Sequence, residues 1–239
     1  MKRFAWIAGL MAVLAVWTNG CATPPKPYGR EQQLFLPGMH SLVWAVAPTV
    51  NLSGQAHVDP LLQSDLVFQE LQAVRGLTVI PVDRVVEVYA SLRIEKVESE
   101  AQATNVCDLL GCDGLVVPTV TAYDPYDPPK MGASLQLFAK PGTVQQIVLI
   151  DPHELDRSPT VGAMDLPRPQ RLVQAVGIFD ASSGSVRQSA DAYAAGRTDP
   201  NGPMGSREVY LDMSRYGGFV YHELIGELLD HLTVDGTPQ

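Results

Sequence analysis

Leu42-Val43-Trp44-Ala45-Val46-Ala47-Pro48 is a run of six apolar residues closed by a proline. A strand with one face in water alternates polar and apolar side chains. This one does not, so it reads as a strand buried on both faces, inside a sheet carrying helices on each side. Downstream, the loop Asn51-Leu52-Ser53-Gly54 is followed by Asp59-Pro60, a capping residue with proline at the first helical position. The helix that they open is expected to run to about Val74, with Val58, Leu61, Leu62, Leu66, Phe68 and Leu71 as its apolar stripe. Gly76 closes it, and Leu77-Thr78-Val79-Ile80 forms a short strand.

The same reading extends along the chain. Pro81 to Leu92 forms a second, shorter helix. Ser99, with Gln102 three residues on, has the capping-box pattern and opens a helix ending at Gly111. Gly114 to Tyr123 is a strand in which Pro118 suggests a bulge or an edge position. Met131 to Phe138 alternates and pairs antiparallel with it. Residues 139–170 are irregular, with Ile147-Val148-Leu149-Ile150 as an apolar island. Leu172–Phe179 and Val186–Ala194 flank the turn-forming Asp180-Ala181-Ser182-Ser183-Gly184, which predicts a hairpin. Arg207 to Leu232 reads as a helix with Met213, Tyr216, Val220, Leu224 and Leu228 on one face, weakened in the middle by Gly217-Gly218. There is no internal repeat. The order predicts an α/β (α+β) fold: a mixed sheet with packed helices, as one domain over 41–234 with an insert at 139–170.

The amino-terminal segment has another logic. Lys2 and Arg3 precede an apolar stretch of about fourteen residues, Phe4 to Trp17, and Thr18-Asn19-Gly20 leads into Cys21. A positive start, a short apolar run and a small residue before the cut describe a signal peptide. With a cysteine after the cut, followed by Ala22-Thr23-Pro24-Pro25-Lys26-Pro27, the segment resembles the bacterial lipoprotein signal. That resemblance implies diacylation of the Cys21 sulfur and a membrane held through acyl chains. Thr18 stands where such signals usually carry Leu. A plain secretory signal and an uncleaved anchor are the alternatives. Residues 1–20 are then the signal peptide and 21–40, rich in Pro, Gly and Gln, a tether. No later apolar run approaches the roughly twenty residues that a spanning helix needs.

The chain holds 17 basic and 26 acidic residues, a net charge of −9, and losing Lys2 and Arg3 makes the remainder two units more negative. An acidic chain without a basic run offers no electrostatic footprint for nucleic acid. It does not attract anionic headgroups either.

Several segments together resemble the TolB amino-terminal-domain-like fold, which is shared by the curli-secretion-channel lipoprotein and by lipoprotein activators of penicillin-binding proteins. They are the strand ending in Pro48 with Asn51-Leu52-Ser53-Gly54, the helix with Leu66 and Leu71, and Thr78-Val79-Ile80 with Asp83-Arg84. Leu110-Gly111-Cys112-Asp113-Gly114-Leu115-Val116-Val117 and the turn Asp180–Gly184 complete the set. The resemblance covers roughly Ser41 to Ala194. Cys112 departs from the usual Ala, and the 139–170 insert has no counterpart. The resemblance implies an envelope lipoprotein that binds or assembles other macromolecules without chemistry of its own. The fold alone transfers no function.

Candidate sites are few. Cys107 and Cys112 flank a helix end. With Gly111 just past the cap they occupy positions that the Schellman motif brings together, so a disulfide and an ordinary apolar contact are both open. His222-Glu223 starts an H-E-x-x-H pattern, but Gly226 stands where the second His must be; His231 is off the spacing. The plain reading puts these side chains on the outer face of the helix, and no metal or cofactor is expected. Asn51-Leu52-Ser53 matches a glycosylation sequon but is read as a turn. Tyr123-Asp124-Pro125-Tyr126-Asp127-Pro128-Pro129 is stiff and aromatic. It suits either partner binding through Tyr123, Pro125, Tyr126, Pro128 and Pro129 or a rigid link between two strands.

These features predict a periplasmic lipoprotein anchored through Cys21 to the outer membrane, which the absence of Asp at Ala22 favours under the enterobacterial sorting rule. Its expected role is a non-catalytic binding or assembly module with other envelope proteins as partners, a homo-oligomer being open. A secretion-channel subunit is the alternative, but it needs amphipathic hairpins of roughly ten residues per strand, and Thr143–Ile150 is shorter. A hydrolase would have to assemble distant groups such as Asp113, Asp151, His153 and Glu154.

Overall fold

β1 (Leu42–Val46) lies inside the sheet, as its composition demands. The computed structural model describes residues 33–36, 41–140, 171–195, 197–199 and 202–233. Leu42, Trp44 and Val46 point into one core, and Ala45 and Ala47 into a second core on the opposite face. β2 (Val50–Asn51) continues the direction of β1, and the Asn51 side chain accepts from the Ser53 backbone at 3.0 Å to shape the next turn. β3 (Leu77–Ile80) and β4 (Gly114–Asp124) flank β1 in parallel. β5 (Lys130–Ala139) and β6 (Arg171–Asp180) then add antiparallel strands, giving the order β3-β1-β4-β5-β6.

Pro118 is on a central strand, not at an edge, and the register shift lies between Val120 and Ala122. It is tolerated because β1 pairs with Gly114–Val116 and β2 with Thr119–Val120, leaving the proline between the two ladders.

α1 (Pro60–Gln72) starts where its cap requires: the Asp59 carboxylate accepts from the Leu61 and Leu62 backbone at 2.9 and 3.4 Å. Its buried face is rotated from the expected stripe. Leu61 and Leu62 are exposed, whereas Gln63 and Ser64 are buried. Both polar groups are satisfied there, Gln63 by the Tyr221 hydroxyl at 2.9 Å and Ser64 by Thr49 and the Pro60 carbonyl. α2 (Val82–Leu92) and α3 (Glu100–Leu110) follow as expected. In the α3 cap the Ser99 hydroxyl accepts from Gln102 N, while the Gln102 side chain reaches back to Glu98 N rather than to Ser99 N.

Two expectations give way. Asp180–Gly184 leads not into a second hairpin strand but into α4 (Gly184–Ala194). Ala190, Tyr193 and Ala194 recur at three- and four-residue spacing on its buried side, and the segment is rich in Ala and poor in β-branched residues. The final helix does not begin at Arg207. Gly205–Tyr210 is a 3-10 turn, and α5 (Met213–Thr233) opens with the Asp212 carboxylate accepting from Ser214 N at 2.9 Å. Gly217 and Gly218 do not break α5. They let it approach its neighbours: a Cβ on Gly217 would sit 3.1 Å from Leu66 Cδ1, and one on Gly218 3.0 Å from the Tyr193 hydroxyl.

The result is one α/β domain with three layers. α1, α4 and α5 cover one face, where Trp44, Leu71, Leu135, Tyr216, Phe219, Leu224 and Leu228 form the large core. α2 and α3 cover the other around Val85, Tyr89, Val106 and Leu115. No described helix is long and apolar enough to cross a membrane.

Candidate functional site

The second helical layer stops short. Along β6, Leu172, Val176 and Ile178 share the face that α2 and α3 cover further along the sheet, yet they are 44%, 55% and 66% exposed. Their register partners on β5 are Phe138, Ser134 and Gly132. On the same side, no β6 residue joins the described core. The residues at the opposite parity, Val173 and Ala175, are buried under α5. The sheet is therefore sandwiched as far as the Phe138 end of β5, which α3 reaches, and β6 has helix on one side only among the described residues. Alternation of this kind is what a half-covered antiparallel strand requires. The exposed residues of this face are Leu172, Gln174, Val176 and Ile178, three of them apolar where water would favour polar groups.

The Tyr123–Pro129 stretch connects β4 to β5. Tyr126 is 80% exposed, and Pro125 and Pro128 are exposed beside it. Its backbone is fixed by the Asp124 carboxylate, which accepts from Tyr126 N at 3.1 Å. The Asp127–Pro128 peptide is cis. Tyr123 and Pro129 turn inward instead. The Tyr123 ring meets His57 edge-on at 5.4 Å between centroids, and Pro129 is buried, its carbonyl accepting from Ala181 N at 3.0 Å. The segment thus serves as the rigid link and also presents one aromatic outward.

Cys107 and Cys112 adopt the Schellman arrangement. Gly111 is left-handed at φ 68°, Gly111 N donates to the Asp108 carbonyl, and Cys112 N donates to the Cys107 carbonyl at 3.0 Å. The two sulfurs lie 2.9 Å apart as free, buried thiols.

His222 is not on an outer face. It is buried, 5% exposed, and its Nδ1 lies 3.2 Å from Glu70 Oε2. The same carboxylate oxygen takes Arg197 Nη2 at 3.3 Å, while Oε1 accepts from the Tyr193 hydroxyl at 2.7 Å. The Arg197 guanidinium stacks 3.8 Å over the Tyr193 ring. Nδ1 cannot both donate to Glu70 and accept from Arg197, and the shorter contact to a carboxylate assigns it the proton. Burial alone would raise the Glu70 pKa. The hydrogen bonds from His222 and Tyr193 and the charges of Arg197 and His222 outweigh it, and the carboxyl is held below its ordinary value. Both oxygens are spoken for, so this carboxylate ties α1, α4 and α5 together and is not poised to accept a substrate proton. A cleft of about 280 Å³ opens beside it, lined by Leu66, Tyr193, Thr198, Val209 and Arg215 among others. Nothing local in the sequence signals this network, since 123 residues separate Glu70 from Tyr193 and 152 separate it from His222.

Other sequence candidates resolve differently. The Asp113 carboxylate accepts from Val43 N at 2.8 Å, pinning the α3–β4 corner to β1. Asp151, His153 and Glu154, the lipidation residue Cys21, the signal peptide, the 147–150 island and most of the tether lie outside the described residues. Among the described residues no group of three or more His, Cys, Asp or Glu side chains could hold a metal ion.

No protein-family model and no curated protein matches the chain. Solved structures do. The chain is similar to the LpoB C-terminal domain from Salmonella enterica, at 11% identity and TM-score 0.36, over 44% of this chain and 76% of that one. It is similar to lipoprotein GNA1162 from Neisseria meningitidis, at 18% identity and TM-score 0.34, over 41% of this chain and 69% of that one. It is also similar to the PelC dodecamer protein from Paraburkholderia phytofirmans, at 10% identity and TM-score 0.36, over 83% of this chain and 92% of that one.

Proposed function

We propose that this protein is a lipid-anchored, non-catalytic binding module of the bacterial cell envelope, held to the outer membrane through Cys21 on its periplasmic side. The observation that carries the reading is the half-covered sheet: Leu172, Val176 and Ile178 stand exposed on an edge strand of 10 residues. Among the described residues β6 ends the sheet, and an edge strand beside exposed apolar side chains is a surface that a partner protein covers. The rigid Tyr126 tip, with little rotamer entropy to lose, is a second point of contact. The lipoprotein-type segment ending at Cys21 and the Pro-rich residues after it supply the anchor and the reach.

The test is site-specific photocrosslinking in intact envelopes, with the crosslinker placed at Val176, at Tyr126 and, as a control, at exposed Glu87 on α2. Capture of the same envelope protein from Val176 but not from Glu87 supports the reading. Capture of nothing overturns it, and capture only of other copies of this chain overturns it in favour of self-assembly. Replacing Cys21 with Ser tests the anchor separately, and the lipoprotein reading requires release from the membrane fraction.

A further inference from the structure

We propose that Cys107 and Cys112 are an oxidation site at which an intramolecular disulfide staples the C-terminal cap of α3 to the start of β4. Three independent features of the geometry lead there. The Schellman hydrogen bonds fix the backbone at both cysteines, so their approach does not depend on side-chain chance. The sulfurs are already 2.9 Å apart, against roughly 2 Å in a disulfide, which leaves less than about 1 Å to close. Both thiols are 1% exposed in one apolar cluster, and among the described residues neither lies in a group able to hold a metal ion. As free thiols they gain only a weak S–H···S contact. As a disulfide they close a short loop across the joint between a helix and the central strand.

The two cysteines are not equivalent. The contact with Cys107, the Lys140 ammonium and the Cys112 and Gly114 backbone groups hold the Cys112 thiol below its usual pKa against the effect of burial. The Cys107 thiol is raised, first by that same contact with Cys112 and then by burial. Lys140 is held over the pair by its ion pair with Asp108 at 2.8 Å. One of the two cysteines supplies the attacking thiolate, favoured by the Lys140 ammonium. Its sulfur bonds to one sulfur of a donor disulfide, whose other half leaves as a thiolate and takes up a proton. The second cysteine then gives up its proton, and its sulfur attacks the first and expels the second half of the donor. Two cysteine thiols are oxidised by two electrons, and one small-molecule or protein disulfide is reduced to two thiols. Because both sulfurs are buried, exchange belongs to folding or to opening of the Gly111 cap. An exported chain, as the segment before Cys21 implies, folds in a compartment that supplies such donors.

The experiment uses the full-length chain, refolded from urea in mixtures of oxidised and reduced glutathione, acid-quenched, denatured, alkylated and mapped by peptide mass. The expected result is a Cys107–Cys112 linked species lighter by two hydrogen atoms, unalkylated at both positions and monomeric on a non-reducing gel. Its melting temperature should exceed that of the reduced chain, a difference that vanishes in Cys107→Ser and Cys112→Ser. Alkylation of both cysteines across the whole glutathione range overturns the proposal, as does linkage of either to Cys21 or to another chain. Should the serine variants not fold, comparison of the oxidised and reduced wild-type chain decides alone. The outcome is independent of what the β6 face binds, so a failed capture experiment leaves this test standing.

Discussion

The two faces of the sheet are built to different ends. The α1–α4–α5 face is continuous from β1 to β6, carries the largest buried side chains, and closes over a charged latch. The α2–α3 face covers β3, β1, β4 and the Phe138 end of β5 and leaves Leu172, Val176 and Ile178 on β6 in the open. Both faces bury a core, but only the α2–α3 side leaves apolar side chains of the sheet exposed. Substitutions should therefore divide by face, those under α5 changing stability and those on outer β6 changing association.

The largest effect is expected from Leu224→Ala, a fully buried position at the centre of the continuous face. It should cost about 2–5 kcal/mol, read as a lowered urea midpoint. An effect under about 1 kcal/mol would mean that the two faces do not differ in this way. Next comes Glu70→Ala, which leaves His222, Arg197 and Tyr193 without their shared acceptor and should cost on the order of 3 kcal/mol. The same latch sets a pH signature. The Glu70 carboxyl ionises at lower pH in the folded chain than in the unfolded one, so its stabilisation is full above the ordinary carboxyl value of 4.5. It is lost as pH falls through the lowered folded value. Denaturation profiles of the wild type and Glu70→Gln should converge on acidification; parallel curves would sink the latch.

On the open face, Ile178→Lys should alter stability by under about 0.5 kcal/mol, because the side chain is 66% exposed. The same change should abolish partner capture at β6, and retained capture would relocate the binding surface. The smallest effect concerns Tyr216, whose buried hydroxyl has no hydrogen-bond partner among the described residues. Tyr216→Phe should be neutral or stabilise by up to about 1 kcal/mol in thermal melts, since it removes an unpaired polar group without changing shape.

What was legible in the sequence was local. Asp59-Pro60, Ser99 and Gly111 announce helix ends through contacts spanning a few residues, and each is where its chemistry requires. The unbroken apolar run at β1 likewise reported burial on both faces. Asp180–Gly184 was ambiguous for a physical reason: the same Asx and Ser turns that reverse a hairpin also start a helix. In the alanine-rich segment after it the helical spacing of Ala190, Tyr193 and Ala194 rests mostly on small side chains, which makes it a faint signal. The burial of Gln63 and Ser64 in place of Leu61 and Leu62 is set by Thr49 and Tyr221, which no local pattern reveals. The Glu70 latch is of the same kind, assembled from three helices and the segment after α4. His222 looked like a surface residue because its partner lies on α1.

The glycine pair in α5 has a consequence for how the domain comes together. Each glycine disfavours an isolated helix by about 1 kcal/mol relative to alanine, so the 21 residues of α5 have little reason to coil alone. Contact with Leu66 and Tyr193 supplies that reason, and those contacts exist only once α1 and α4 are in place. Helix formation and docking then become a single event, and α5 should exchange its amide hydrogens together with α1 and β4–β6 rather than fray ahead of them. The residues that look like a weakness in the helix make the large face an all-or-none unit.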